Sequence, residues 1–184
     1  MAKVAINAGH MYSGSGYEDK GASGMYSLEG DIARAVANVV CDDLQKVGYE
    51  ILFIQDDGLK NICDMANGFN GDVFVSIHCN SADNPKAHGT ETWYHTGSEE
   101  GPKLAQCVQN QLVESMGTAD RGIKKDTDRY DTGFAVTRDT KMPACLTELA
   151  FISNADEEDY MNDHIELMAH AVARGITDYF AARI

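Results

Sequence analysis

The chain has 184 residues, a length that predicts one compact domain with its own core. Apolar residues make up 43% of it and charged residues 24%, as in an ordinary globular protein. No run reaches the roughly 18 consecutive apolar residues of a membrane span, so no membrane insertion is expected. The 29 acidic and 15 basic residues give a net charge of −14, which argues against binding to nucleic acid or any other polyanion.

Two further features bear on the compartment of the protein. The chain has five widely spaced cysteines with no C-x-x-C pair: Cys41, Cys63, Cys79, Cys107 and Cys145. This pattern predicts buried apolar thiols in a reducing compartment rather than a disulfide or zinc-finger framework. The N-terminus lacks the apolar region and cleavage site of a signal peptide, which predicts synthesis in the cytoplasm without an export signal.

In the first half of the chain, short apolar runs alternate with amphipathic stretches. In chain order we predict a strand at Val4–Ile6, a loop over 11–27, a helix from Leu28 to Gly48, a strand over 50–54, a weaker helix over 59–69 and a strand over 72–78. The long helix is indicated by apolar residues at helical spacing, and Gly48 provides its stop signal.

The second half continues the alternation. Residues 89–96 ("GTETWYHT") predict a strand or an edge ribbon, Pro102 begins a helix that stops at Gly117, and a polar loop follows. Two short apolar runs come next, at 134–138 and 143–149, and a last helix carries apolar residues from Ile165 to Tyr179. The order predicts a single α/β domain over 1–184, with a mainly parallel (mixed), twisted sheet and helices on both faces.

Polar residues fall at the carboxyl ends of three predicted strands, where open α/β sheets bind their ligands. His10 follows the first strand, His78 ends the run "DVFVSIH", and Glu148 lies near the end of "PACLTEL". Glu29 begins the first long helix, just after the chain returns from the edge that carries His10. In a parallel sheet these four side chains would converge.

Two histidines and one carboxylate, with a fourth position left to water, form a catalytic zinc site. Zinc lowers the pKa of its water to about 7 and polarises a carbonyl. A second carboxylate held off the metal then serves as general base and acid. His10, Glu29 and His78 fit the ligand set, and Glu148 fits the base.

The residues alone leave alternatives open. A histidine after a strand is often a hydrogen-bonded structural residue, and Glu29 suits the first turn of a helix because of the helix dipole. On position alone, Glu18, Asp19 and Asp31 compete with Glu29 as ligands. Glu148 is harder to explain structurally, since a buried carboxylate without a partner costs several kcal/mol.

Six sequence blocks, in order, resemble the zinc-dependent N-acetylmuramoyl-L-alanine amidases, the type-3 enzymes of bacterial autolysins and phage endolysins. These blocks are "INAGH", "SLEGDIARAVANVV", "MANGFNGDVFVSIHCNS", "GTETWY", "PACLTELAFISN" and "AVARGITDYF". The resemblance spans nearly the whole chain, and its most specific blocks surround His78 and Glu148. It implies zinc ligation by His10, Glu29 and His78, with Glu148 as catalytic acid/base. It also implies cleavage of the amide between muramic acid and the L-alanine of the stem peptide in bacterial peptidoglycan.

The chain departs from the family pattern in its loops. The family usually has Asp-Pro-Gly-His-Gly where residues 7–11 of this chain read Asn-Ala-Gly-His-Met. The loop between His10 and Glu29 is longer than is typical of the family. Asp64 also occupies a position that is often basic in the family. Substrate contacts are therefore assigned only to Asn80 and Asn154, polar residues expected near the mouth of the site. Either is equally well explained as a turn-forming asparagine.

The predicted function is zinc-assisted peptidoglycan hydrolysis, and two alternatives stand beside it. One is a catalytically silent peptidoglycan-binding or regulatory domain of the same fold, and the other is a zinc amidohydrolase of small peptides. The sequence shows no separate wall-binding module, and its negative charge predicts weak retention on anionic walls that improves with salt. Without an export signal, the protein is expected to act on the wall after release, or as a catalytic domain cut from a larger protein.

Overall fold

The computed structural model describes residues 1–10 and 19–182. In those residues the strands are β1 (Lys3–Ala8), β2 (Glu50–Ile54), β3 (Val73–Asn80), β4 (Thr90–Tyr94), β5 (Asp120–Lys125) and β6 (Ala144–Phe151). The helices are α1 (Glu29–Lys46), α2 (Leu59–Phe69), α3 (Gly101–Met116), α4 (Ala135–Arg138), α5 (Ala155–Asp163) and α6 (Ile165–Ala181), with a 3-10 turn at Asp126–Asp128.

The strands form one sheet in the order β2-β1-β3-β6-β4-β5. The first four are parallel, β4 runs antiparallel to β6, and β5 runs parallel to β4. The α/β fold with a mainly parallel, mixed sheet is therefore confirmed. Because β1, β3 and β6 are parallel neighbours, their carboxyl ends meet at one edge of the sheet.

Helices cover both faces of the sheet, as predicted. Helices α1, α3 and α6 pack over one face in the larger apolar cluster, which includes Val75 and Ile77 of β3. Helices α2 and α4 cover the other face around Phe74 and Trp93. Successive strand residues point to opposite faces, so His78 lies on the same face as Phe74 and α2. Among the helices of the described residues, none has the length and apolar character that a membrane span requires.

The structure differs from the predicted elements mainly where apolar periodicity is weak. The polar stretch after Gly117, predicted as loop, contains β5, an edge strand whose side chains are exposed or half-buried. The run 134–138 forms the single helical turn α4, and residues 89–96 contain β4, which lies inside the sheet rather than at its edge. Strands β3 and β6 both extend beyond their predicted ends, so His78 and Glu148 lie within strands.

The cysteines are all free, as predicted. Four of them are buried, whereas Cys107 is only half-buried. Cys79 points into the larger apolar cluster, on the face opposite His78, because adjacent residues of a strand alternate.

Candidate metal centre and active site

His10 is delivered to the sheet edge by a sharp turn after β1. Its backbone has a positive φ of 60°, a conformation that few residues other than glycine adopt. The Gln55 side chain donates a hydrogen bond to the His10 carbonyl over 2.9 Å. The ring then lies with Nε2 3.2 Å from Glu29 Oε1 and Nδ1 2.9 Å from Asp19 Oδ1.

Glu29, the first residue of α1, is held by backbone donors on both sides. Its Oε2 accepts a hydrogen bond from the Ala22 N–H at 2.8 Å, and its Oε1 accepts one from the Cys79 N–H at 3.1 Å. The side chain is buried. Glu29 is therefore fixed between the loop before α1 and strand β3.

His78 completes a cluster of three side chains. Its Nδ1 lies 3.0 Å from Glu29 Oε1, the same oxygen that faces His10. The ligand atoms of His10, Glu29 and His78 all lie within 4.8 Å of one another. Two imidazole nitrogens and a carboxylate oxygen suit zinc, and three protein ligands leave a position open for water or substrate. The predicted trio thus meets as a candidate metal site.

The competing acidic residues are not part of this cluster. Asp31 is exposed on α1, and Asp19 contacts the outer nitrogen of His10 without joining the three ligand atoms. Glu18 lies outside the described residues. Among the acidic residues described, the structure therefore favours Glu29.

Glu148 lies beside His78 in the sheet. The two are register partners on the parallel strands β3 and β6, and both line the same cavity as His10 and Glu29. Glu148 Oε2 is buried and has no hydrogen-bond partner among the described residues. Burial raises the pKa of Glu148 to about 7, opposed by the charge of His78 and reinforced by that of Glu29. A buried carboxyl group with a free oxygen at a cavity is suited to proton transfer.

Charge coupling within the trio shifts the pKa values of His10 and Glu29 in opposite directions. Burial alone would lower the pKa of His10, but its hydrogen bond and charge interaction with Glu29, helped by Asp19, raise it to about 9. Burial alone would raise the pKa of Glu29, yet hydrogen bonds with His10 and His78 hold it well below its usual range. Glu29 is therefore ionised at neutral pH, as a metal ligand must be.

Comparisons with known proteins assign the chain to a family. Residues 4–178 match the N-acetylmuramoyl-L-alanine amidase family. The chain belongs to this amidase family. It is therefore a cell-wall amidase, a hydrolase whose family acts on peptidoglycan.

Individual relatives agree with this assignment. The uncharacterized protein YqiI of Bacillus subtilis is 35% identical, over 96% of this chain and 84% of YqiI. The N-acetylmuramoyl-L-alanine amidase LytC of B. subtilis is 30% identical over 96% of this chain, which spans only 35% of LytC. The solved catalytic domain of CwlV, an amidase from Bacillus (Paenibacillus) polymyxa var. colistinus, is 33% identical, with a TM-score of 0.86 over 98% of this chain and 99% of CwlV's.

The cavity of the amidase extends from the trio to helices α2 and α4. Its volume is about 690 Å³, and Ile62, Tyr130 and Phe134 supply an apolar part of its lining. Arg129 also lines the cavity, with its Cζ 5.9 Å from the ring centroids of Trp93 and Tyr130. A cleft of this size with a polar end and an apolar wall suits a peptide-like ligand.

The structure separates the two asparagines that were predicted to contact substrate. Asn80 lines the cavity, but its amide donates to Glu91 at 2.8 Å and its oxygen accepts from the Ser81 N–H. Asn154 caps helix α5 and lines a different groove, beside Pro85 and Lys86. The structure thus brings Asn80 to the site with the other four residues but not Asn154.

Sequence reasoning missed several residues around the site. Gln55, which holds the His10 carbonyl, and the cavity residues Arg129, Tyr130 and Phe134 lie in loops without a motif. Gly9 leaves the space that the His78 ring occupies, because a Cβ at this position would lie 2.3 Å from His78 Cε1. The "AGH" block contained this signal, since glycine permits a close approach that any side chain would block.

Proposed function

We propose that this domain hydrolyses the amide bond between N-acetylmuramic acid and the L-alanine of the peptidoglycan stem, with zinc held by His10, Glu29 and His78 and with Glu148 as acid/base. The observation that carries the proposal is the position of Glu148. Its unpartnered buried oxygen lines the same cavity as three side chains suited to zinc.

The proposed roles follow from the surroundings of each residue. Bound zinc would activate a water molecule and polarise the substrate carbonyl. Glu148 accepts the proton of the attacking water and transfers it to the departing alanine nitrogen. The elevated pKa of Glu148 suits both steps, because a group that titrates near neutral pH gives and takes a proton with similar ease.

The rest of the cavity is proposed to orient the peptide stem. The apolar wall of Ile62, Tyr130 and Phe134 packs against uncharged parts of the substrate and excludes water from one side of the amide. His10 and His78 remain neutral when they ligate the metal, so Glu29 provides the only charge of the ligand set.

The test measures which bond is cut in purified peptidoglycan. We expect new alanine amino groups without new reducing sugar ends, because an amide and not a glycosidic bond is hydrolysed. Glu148→Gln is expected to retain one zinc and lose at least 100-fold in turnover, since the amide cannot accept the proton. The matched control is Glu166→Gln, on the exposed face of α6, with unchanged activity.

The outcomes separate the competing functions. An active Glu148→Gln enzyme would show that the base is misassigned. A wild-type protein that binds walls and zinc but releases no amino groups would support the silent domain. Hydrolysis of short peptides that lack muramic acid, at rates equal to those on wall fragments, would support the small-peptide amidohydrolase.

A further inference from the structure

A buried chain of hydrogen bonds lies behind His78, on the side away from Glu29. Ser76 Oγ lies 3.1 Å from His78 Nε2, and it donates to Asn7 Oδ1 over 2.6 Å. Asn7 and Ser76 are register partners on β1 and β3, and each is at most 1% exposed. Their immediate neighbours along the strands are fully buried apolar residues, so these two polar side chains need hydrogen-bond partners to offset the cost of burial.

The hydrogen-bond donors of this chain can be assigned one by one. The Asn7 amide nitrogen donates to the carbonyls of Ala8 at 3.0 Å and Ile54 at 3.2 Å, which fixes its oxygen toward Ser76. The Ser76 hydroxyl has one hydrogen, and that hydrogen goes to Asn7. Toward His78, Ser76 is therefore an acceptor.

This assignment determines the tautomer of His78. The ring nitrogen that faces Ser76 must carry the hydrogen, so the proton of a neutral imidazole sits on Nε2. The lone pair is then on Nδ1, which lies 3.0 Å from Glu29 Oε1. Without a metal this contact is a hydrogen bond to Glu29. In the neutral ring that a metal requires, Nδ1 and Oε1 would both present lone pairs to the same cation.

We propose that Asn7 and Ser76 are positioning residues, which hold His78 as the Nε2–H tautomer so that Nδ1 is presented as a metal ligand. This inference rests on the proposed zinc site, and it adds two residues that orient one of the zinc ligands. Partners of this kind, in contact with the outer nitrogen of a histidine ligand, set its tautomer and ring orientation. Ser76 does so directly, and Asn7 acts through Ser76.

The experiment measures zinc affinity by competition with a chromophoric chelator at constant pH. Ser76→Ala is expected to bind zinc 10- to 100-fold more weakly than the wild type, because the outer nitrogen of His78 loses its acceptor. Asn7→Leu should weaken binding similarly, since the Ser76 hydroxyl is then free to donate to His78. Asn7→Asp keeps an oxygen acceptor for Ser76, although it loses the two donors that orient this oxygen, and it should bind zinc more tightly than Asn7→Leu.

The matched control is Thr90→Val, which removes another buried hydroxyl, bonded to the Leu149 carbonyl at 2.6 Å. It should lower the melting temperature without changing zinc affinity. A second measurement needs no variant. In the zinc-loaded wild type, nitrogen NMR of the histidines should show His78 coordinated through Nδ1 and protonated at Nε2.

The outcomes distinguish this inference from the proposed function. Coordination through Nε2, or a Ser76→Ala variant that binds zinc as tightly as the wild type, overturns the positioning role and leaves the zinc site intact. A wild-type protein that binds no zinc overturns both. Equal weakening in Thr90→Val would show that any lost buried hydroxyl has this effect, and would also overturn the specific role.

Discussion

Gly9→Ala tests whether close packing between β1 and β3 places His78. A Cβ at this position would lie 2.3 Å from His78 Cε1 and 2.5 Å from both ring nitrogens. Ordinary van der Waals contact with a Cβ begins at 3.4 Å, so the His78 imidazole ring would have to move away by about 1 Å. The backbone of Gly9 is not in the positive-φ region, so alanine adds only this contact.

We expect the displaced ring to weaken zinc binding at least tenfold and to lower kcat/KM by about 100-fold, because a shift of about 1 Å removes the alignment that ligation and catalysis need. Zinc affinity is measured by chelator competition and kcat/KM by release of alanine amino groups. Circular dichroism and thermal melting check that the variant is folded.

Gly68→Ala is the matched control. This glycine lies in α2, and a Cβ there would meet nothing within 4 Å. The change should stabilise the protein by up to about 1 kcal/mol, since alanine is the better helix former, and leave zinc affinity unchanged. A folded Gly9→Ala variant that binds zinc as tightly as the wild type would show that this close packing does not place His78.

Three further predictions concern protons and the loop before α1. At saturating zinc, kcat/KM should fall toward acid pH, with a midpoint above 4.5 and no higher than about 7. Burial raises the pKa of Glu148, and this residue must be ionised to act as the base. A flat pH profile down to about pH 4.5 would contradict this prediction. In the metal-free protein the pKa of His10 is about 9, so zinc must displace its proton at neutral pH. Apparent zinc affinity should therefore rise about tenfold per pH unit from pH 7 to about 9, and calorimetry in buffers of different ionisation enthalpy should detect the released proton; no proton release would refute the coupling. Glu158→Ala should lower the free energy of unfolding by about 3 kcal/mol and the melting temperature by about 6 to 12 °C. The reason is that the buried Glu158 carboxylate accepts three hydrogen bonds from the backbone N–H groups of residues 25–27. An unchanged melting curve would contradict this expectation.

Much of the fold could be predicted because apolar residues repeat at regular intervals. Helix α1 and helix α3 follow the predicted stripes, and their stops at Gly48 and Gly117 have the positive φ that glycine allows. Strand β5 was missed because an edge strand buries little, so its residues carry no apolar pattern. The short turn α4 was missed because one helical turn is too short to show a period.

The residue types and their order along the chain set the chemistry that is available at the site. The sequence supplied two histidines and two glutamates next to elements whose order implies a parallel sheet, and these four residues line one cavity. A family resemblance along the chain was also visible, because its blocks are local in sequence.

The contacts between these groups became known from the three-dimensional fold. It selected Glu29 over Asp31, linked Asn7 to His78 through Ser76, brought Arg129 to the cavity and placed Asn154 in a separate groove. This division arises because side-chain contacts between distant segments depend on strand register and on the direction in which each loop returns. Local periodicity encodes neither of these.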